Sequence, residues 1–332
     1  MAAQRSIHNS FWLRDDQLQQ QFGSLDTHHK TEILVIGAGI TGLSVALELL
    51  ARGHEVTVCE ANVIGSGTTG GSSGHLDAHP EMGPHELLDQ LGDEKGRLYV
   101  RMRQEAIDAI EQRADEACDF QRVPAYYYSE KLPSERKLKQ QCDAAARLGM
   151  ETTFLHNLPL HHARVGYRID SMALINCLAY LRRLTELVVQ AGGTIFEDTK
   201  VSGPTKDSGD ALEVGSGKVA FESVICAVHC NCTDVLMLYV HTPASQSYVA
   251  AVRIKEVLDD ALYWDDCSPY YYTRRAGSHD PQCILVGGCD HRTGLSSAAE
   301  AKTQLEQYIF ERFKVEQIVA SWSAELFEPA DG

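Results

Sequence analysis

The sequence predicts an α/β protein: a discontinuous Rossmann-like dinucleotide-binding domain with a second, mixed-sheet domain. Three observations predict it. A strand, a glycine series, a helix, a second strand and an acid follow one another within residues 31–61. Strand-like and helical segments then interrupt one another along the remaining chain. At 332 residues the chain is long enough to build two separate cores.

The first element is "TEILVIGAGITGLSVALELLARGHEVTVCEA". Ile33 to Ile36 is a short β-branched apolar run, as expected of a strand covered on both faces. Gly37, Gly39 and Gly42 follow at G-x-G-x-x-G spacing. Leu43, Ala46, Leu47 and Leu50 recur with helical period, and Gly53 stops that helix. "EVTVCE" alternates into a second strand that ends on Glu60, 18 residues after Gly42. The spacing has a mechanism. The first glycine permits a tight turn, the second admits a pyrophosphate to the backbone, and the third lets helix pack against strand. The helix N-terminus then faces the phosphates, and the acid reaches a ribose hydroxyl. An acid in that place repels a 2′-phosphate, so NADP is disfavoured; NAD and FAD are not separated by this motif.

The second element, "NVIGSGTTGGSSGHLDAHPEMG" at 62–83, is dense in Gly, Ser and Thr. It offers backbone N–H groups and hydroxyls with little bulk, so a further part of a long cofactor can lie against it. An ordinary surface loop has the same composition. "LYVRMRQEAIDAIEQRADEA" then reads as helix and "FQRVPAYYYSE" as strand. Residues 171–190 read as a further helix closed by "AGG". A strand, the turn "GSG" and "ESVICAV" return the chain to the nucleotide sheet, and 241–255 and 268–290 read as strands. Tyr270, Tyr271 and Tyr272 alternate in facing, so no more than part of the triplet lines a cavity.

The formal charge of −16 argues against nucleic acid or an anionic membrane surface as partner. Apolar runs are of strand length and "MAAQRSIHNSFW" has no signal-peptide core, so a cytoplasmic protein with no membrane association is expected. The ten cysteines are scattered, several within strands, which favours reduced core thiols. Cys226, His229, Cys230 and Cys232 finish a buried strand without a second ligand pair, so no metal is expected there. Cys289 and His291 have the form of one Rieske half-site, but no cysteine follows Cys289 in this sequence. For His75, Asp77, His79, Glu81 and His85, solvated polar side chains are the simpler reading.

The glycine fingerprint together with "GSGTTGGSSGHLDAHPE" resembles the FAD-dependent D-amino-acid oxidase and glycine oxidase superfamily. It looks closest to the amine-oxidising branch that includes γ-glutamylputrescine oxidoreductase and Rieske-fused members. "SFWL", "CDFQRVPAYYYSE", "AGGTIFEDTKV", "SPYYYTRRAG", "ILVGGCDHRTG" and "SWSAELFEPADG" extend the likeness over most of the chain.

The resemblance implies FAD. It places Gly37, Gly39, Ile40, Thr41 and Gly42 near the pyrophosphate, and Glu60 with Ala61 at the adenosine ribose. Gly67, Thr68, Thr69, Gly70, Ser72, Ser73, Gly74 and His75 would lie beside the flavin and ribityl chain, and Val201 would meet the adenine through its backbone. Some relatives attach FAD through a histidine in the second loop; Gly71 stands there, so non-covalent FAD is expected. The chemistry implied is hydride removal from the carbon beside an amine nitrogen, giving an imine that hydrolyses. Arg274 is the candidate for a substrate carboxylate, with Tyr272 and His291 as further catalytic candidates and Asp290 available to orient His291. The expected partners are an amine or amino acid and O2 or another electron acceptor.

The expected organisation is an N-terminal extension at 1–30 and an FAD-binding domain at 31–95 and 166–235. A substrate domain takes 96–165 and 236–320. Residues 321–332 begin an FAD-closing segment that relatives continue, so the chain reads as truncated. Two functions follow: an FAD-dependent amine or amino-acid oxidoreductase, or a flavin-poor, non-catalytic remnant acting as a binding protein. An NAD-dependent dehydrogenase leaves residues 65–76 without a job.

Overall fold

The computed structural model describes residues 10–14, 18–201, 209–214, 217–229, 242–295 and 297–327. The chain divides into two compact units. One gathers Met1–Ser72, Cys177–Ser245 and Ala324–Asp331; the other gathers Ser73–Asn176 and Gln246–Ser323.

In the first unit four parallel strands lie in the order Ser223–Cys226, Ile33–Ile36, Val56–Cys59, Thr194–Phe196. Every residue of Ile33–Ile36 and Val56–Cys59 is buried, as the unbroken apolar runs require. The helix Ile40–Ala51 connects them, with Leu43 and Ala46 turned fully inward. A smaller sheet pairs His28–Lys30 in parallel with Gly217–Ala220, which runs antiparallel to Ala211–Val214. Its apolar side chains, Leu212, Val214 and Val219, join Leu34, Ile36, Cys59 and Val201 in one core.

The segment expected to be an N-terminal extension is built into this unit. Trp12 is buried and its indole N–H donates to the Ser72 carbonyl at 2.6 Å. Glu197, fully enclosed, accepts from the N–H groups of Gln21, Phe22 and Ile64 at 2.5, 2.9 and 2.7 Å.

The second unit is organised by a large mixed sheet. Its strands run in the order Val315–Phe327, Ala244–Ile254, Cys283–Arg292, Tyr271–Arg275, Leu262–Asp265, Gln121–Ser129, Val165–Leu174, His75–Leu76. Thr152–Leu155 also pairs with Val165–Leu174. Leu262–Asp265 is parallel to Gln121–Ser129 while its other neighbour is antiparallel. Period-2 alternation assigns the tyrosine runs. Tyr126, Tyr128, Tyr263 and Tyr271 pack with the helix Ala298–Arg312. Tyr127 and Trp264 pack with the opposite core, where Pro84–Arg113 and Glu135–Arg147 cover the sheet. Tyr270 is exposed.

Two sequence readings are corrected here. Residues 171–176 are not helical: Ser171 to Leu174 complete the strand Val165–Leu174 and the helix begins at Cys177. Met172, Ala173 and Leu174 are apolar enough for either period, and pairing with Gln121–Val123 and His75–Leu76 decides for strand. Residues 268–290, expected to be strands, hold Tyr271–Arg275 and most of Cys283–Arg292, which pair antiparallel. The units divide after Ser72, Asn176 and Ser245, where the sequence reading placed divisions at 95, 165 and 235. The same pairing explains the shift, because His75–Leu76 and Val165–Leu174 are strands of the large sheet.

Candidate functional site

The first unit carries a cradle of backbone groups. Gly37 has φ +101°, and a Cβ there would meet the Ala227 carbonyl oxygen at 2.5 Å. A Cβ on Gly42 would lie 1.9 Å from the Gly37 oxygen, so this glycine sets the packing of helix on turn. Gly39, the N-cap of Ile40–Ala51, is different: a Cβ would meet only Thr69 Oγ1, at 3.3 Å. The one close atom there is a side-chain oxygen, not backbone. Ile40 N–H donates to Thr69 Oγ1 at 3.3 Å, and the N-cap residue, a glycine, supplies no side-chain bond of its own, which suits an anion at the helix N-terminus.

Glu60 closes the far side of the cradle. One carboxylate oxygen accepts from Ala38 N–H and the other from Asn62 N–H, both at 3.0 Å. The second strand, held to Phe196 and Thr199 by backbone bonds, fixes the acid at the glycine turn. Its remaining lone pairs can accept from ribose hydroxyls. Ala61 is exposed beside it. Val201 is buried and its backbone bridges Val214.

Gly67 begins a one-turn helix, Thr68–Gly71, and a Cβ on Gly67 would meet nothing within 4 Å. Thr68 is hydrogen-bonded to His229 Nδ1 at 3.0 Å, and His229 lies 3.9 Å from Glu325. Sequence reasoning passed over His229 as a metal-like residue; its neighbours Cys230 and Cys232 lie outside the described residues. Gly67 thus leaves open space where a Cβ would otherwise stand, Gly39 is approached only by a side-chain oxygen, and these residues fit a dinucleotide.

In the second unit, Arg274 organises a polar cluster. Its side chain is fully enclosed; Nε donates to the Ser73 carbonyl at 2.6 Å and Nη2 to the Ile175 carbonyl at 3.1 Å. Ile175 N–H in turn donates to the Gly74 carbonyl. Gly74 adopts φ +74°, which a side chain rarely allows. The arginine therefore pins the Ser73–Gly74–His75 turn from beneath. Ser73 Oγ and His75 Nδ1 are 2.9 Å apart. Tyr272 bonds to the side chains of Ser247 and Ser73, and its ring stands edge-on to His75 at 5.0 Å. Burial, and then the charge of Arg274, push His75 well below the ordinary histidine range, so its imidazole is neutral at pH 7. Burial likewise raises the Tyr272 phenol.

Asp77 and His79 are not solvated as the sequence reading supposed. Asp77 accepts from the Tyr127 hydroxyl and from His79 N–H, and its carbonyl accepts from the Arg103 guanidinium. Burial pushes Asp77 up to about 6 and lowers His79 to about 3. No sequence signal marked these residues, because their partners come from Tyr127 and Tyr167 on other strands.

His291 stands elsewhere. It stacks on Tyr248 at 5.5 Å with Nδ1 3.3 Å from the Cys289 carbonyl. Asp290, expected to orient it, accepts instead from the Tyr270 hydroxyl. The structure thus brings Ser73, Gly74, His75, Tyr272 and Arg274 together, and gives His291 a different set of contacts. Among the described residues no helix is long and apolar enough to cross a membrane. No disulfide joins the eight described cysteines.

Residues 32–332 match the family described as FAD dependent oxidoreductase, DAO. A Bacillus subtilis (strain 168) protein described as a Rieske 2Fe-2S iron-sulfur protein, YhfW, is 29% identical over 95% of this chain and 63% of its own length. The oxidoreductase OrdL of Haemophilus influenzae is 29% identical over 73% of this chain and 60% of its own. The chain therefore spans about three fifths of these curated relatives. The crystal structure of glycine oxidase from Geobacillus kaustophilus superposes with a TM-score of 0.73 at 18% identity, covering 92% of this chain and 84% of that one. The fold is that of these flavoenzymes.

Proposed function

The chain belongs to the FAD-dependent oxidoreductase (DAO) family, and on that premise we propose that it oxidises a C–N bond in an amine or amino acid. The observation that carries the cofactor reading is the glycine turn at Gly37–Gly42 with the Glu60 carboxylate fixed to it through Ala38 N–H, together with the open space at Gly67. FAD, when bound, supplies the two-electron acceptor for a hydride leaving the carbon beside nitrogen, and the resulting imine hydrolyses to a carbonyl compound.

Gly37, Gly39, Ile40, Thr41 and Gly42 are assigned to the pyrophosphate, Glu60 and Ala61 to the adenosine ribose, and Val201 to the adenine. Gly67, Thr68, Thr69, Gly70, Ser72, Ser73, Gly74 and His75 are assigned to the flavin end. Gly71 offers no side chain for attachment and His75 Nδ1 faces Ser73, which favours non-covalent binding. We assign Tyr272 and neutral His75 to the substrate, where they accept or donate hydrogen bonds without adding a positive charge that would repel an ammonium group. Arg274, committed to two backbone carbonyls, acts by positioning the Ser73–His75 turn, and its contact with a substrate carboxylate is the lesser part of the assignment. Among the described residues His291 stacks on Tyr248, and its assignment to catalysis is the lesser one. An acidic chain whose described cysteines form no disulfide suits the reducing cytoplasm. A flavin-poor binding role has no observation in its favour.

Anaerobic mixing of the FAD-loaded protein with a panel of amines and amino acids tests the reading. The expected outcome is flavin reduction by one chemical class, release of the matching carbonyl compound, and slowing when deuterium replaces hydrogen on the carbon beside nitrogen. Reduction by a nicotinamide cofactor and by no amine would overturn it.

A further inference from the structure

One set of partly buried rings is left unused by this chemistry. On the face of the large sheet that carries Tyr127 and Trp264, four rings form a continuous stack. Trp264 lies 5.2 Å from Tyr127 with planes 4° apart. Tyr127 lies 3.8 Å from His79 and 5.3 Å from Tyr167, at 15° and 17°. His75 stands 4.8 Å from Trp264 at the other end. Such near-parallel contacts between easily oxidised rings favour electron transfer, because tunnelling falls steeply with the gap between π systems.

Tyr127 has a further feature: its hydroxyl donates to the Asp77 carboxylate. A phenol loses an electron at accessible potential only if its proton leaves with it, so a positioned base decides which tyrosine is oxidised. Asp77 is held for that task by His79 N–H at 2.8 Å and by Arg103 on its own carbonyl at 2.9 and 3.1 Å. The neighbouring His79 ring is occupied by the Tyr167 hydroxyl at 2.8 Å.

We propose that Trp264, Tyr127 and Asp77 form an oxidation relay in which an electron vacancy on the tryptophan moves to the tyrosine as its proton passes to the carboxylate. An external one-electron oxidant removes an electron from Trp264, leaving a radical cation. Tyr127 returns that electron to Trp264, and its O–H proton moves to Asp77. The products are neutral tryptophan, a neutral tyrosyl radical and a protonated carboxyl, so charge and electrons balance. The burial that raises Asp77 makes it a stronger proton acceptor than an ordinary carboxylate. The relay requires neither bound FAD nor the proposed amine oxidation.

The test uses the full chain with photogenerated ruthenium(III) tris-bipyridine as oxidant, followed by freeze-trapping and electron paramagnetic resonance. Wild type should give a neutral tyrosyl signal. Tyr127→Phe should lose most of it in favour of a tryptophan signal, and Asp77→Asn should do the same although Tyr127 is retained. Trp264→Phe, which keeps the buried apolar contact, should lower the tyrosyl yield and covers the case of a variant that does not fold. Equal tyrosyl yield and line shape in wild type and in every folded variant overturn the relay.

Discussion

The two glycines at the helix entrance should respond oppositely to the same added methyl group. In Gly39→Ala the new Cβ has one neighbour, Thr69 Oγ1 at 3.3 Å, and the backbone angles, φ −76° and ψ −179°, suit alanine. The apo protein should change stability by no more than about 1 kcal/mol, helped by the reduced freedom of the unfolded chain. FAD should suffer instead, because the methyl stands where a pyrophosphate approaches. Losing one charge-assisted backbone bond costs roughly 1.5–3 kcal/mol, or about a 10- to 150-fold weaker Kd. In Gly42→Ala the Cβ falls 1.9 Å from the Gly37 carbonyl oxygen, and the backbone must move. That costs roughly 1–3 kcal/mol or more before any ligand is added. Urea unfolding of the apo proteins and FAD titration by fluorescence quenching separate the effects. The reasoning fails if Gly39→Ala binds FAD like wild type, or if Gly42→Ala is the milder change in stability.

Three further outcomes are expected. Burial pushes Asp265 up to about 6, against hydrogen bonds from Tyr271 and Cys267 N–H. A raised carboxyl favours the folded state below pH 3.8 and loses that contribution as pH rises through 6, about 3 kcal/mol for two pKa units. The stability difference between Asp265→Asn and wild type should therefore move by about 2.5 kcal/mol in the variant's favour from pH 4 to pH 8; parallel urea midpoints would contradict it. Glu197→Gln turns a carboxylate oxygen that faces backbone N–H groups into a donor. It should destabilise by about 3 kcal/mol, and limited proteolysis should open the segment around Gln21 first. Arg274→Lys cannot reach both the Ser73 and Ile175 carbonyls. It should lower kcat about tenfold or more by loosening the Ser73–His75 turn, with circular dichroism unchanged.

What was legible in the sequence was local. Gly37, Gly39, Gly42 and Glu60 are joined by one strand–helix–strand unit, so spacing alone locates them and their conformations follow. The alternation of Tyr126, Tyr127 and Tyr128 was equally readable, but which face meets which helix is settled by elements far away in sequence. Asp77 looked like one polar residue of a polar loop. Its environment comes from Tyr127 and Arg103, 50 and 26 residues away. Arg274 was marked for its charge, whereas its partners are carbonyls of Ser73 and Ile175, which carry no signal in a side-chain pattern. The misread helix at 171–176 has the same origin: strand pairing overrides an apolar run compatible with either period.

The most direct measurement is the visible spectrum of the 332-residue chain titrated with FAD and then exposed anaerobically to amines and amino acids. The account predicts a protein-perturbed flavin spectrum at micromolar FAD that is removed by denaturation and gel filtration, as a non-covalent cofactor should be, and bleached by an amine or amino acid. Failure to bind FAD, or a bound flavin that no member of the panel bleaches, would contradict it.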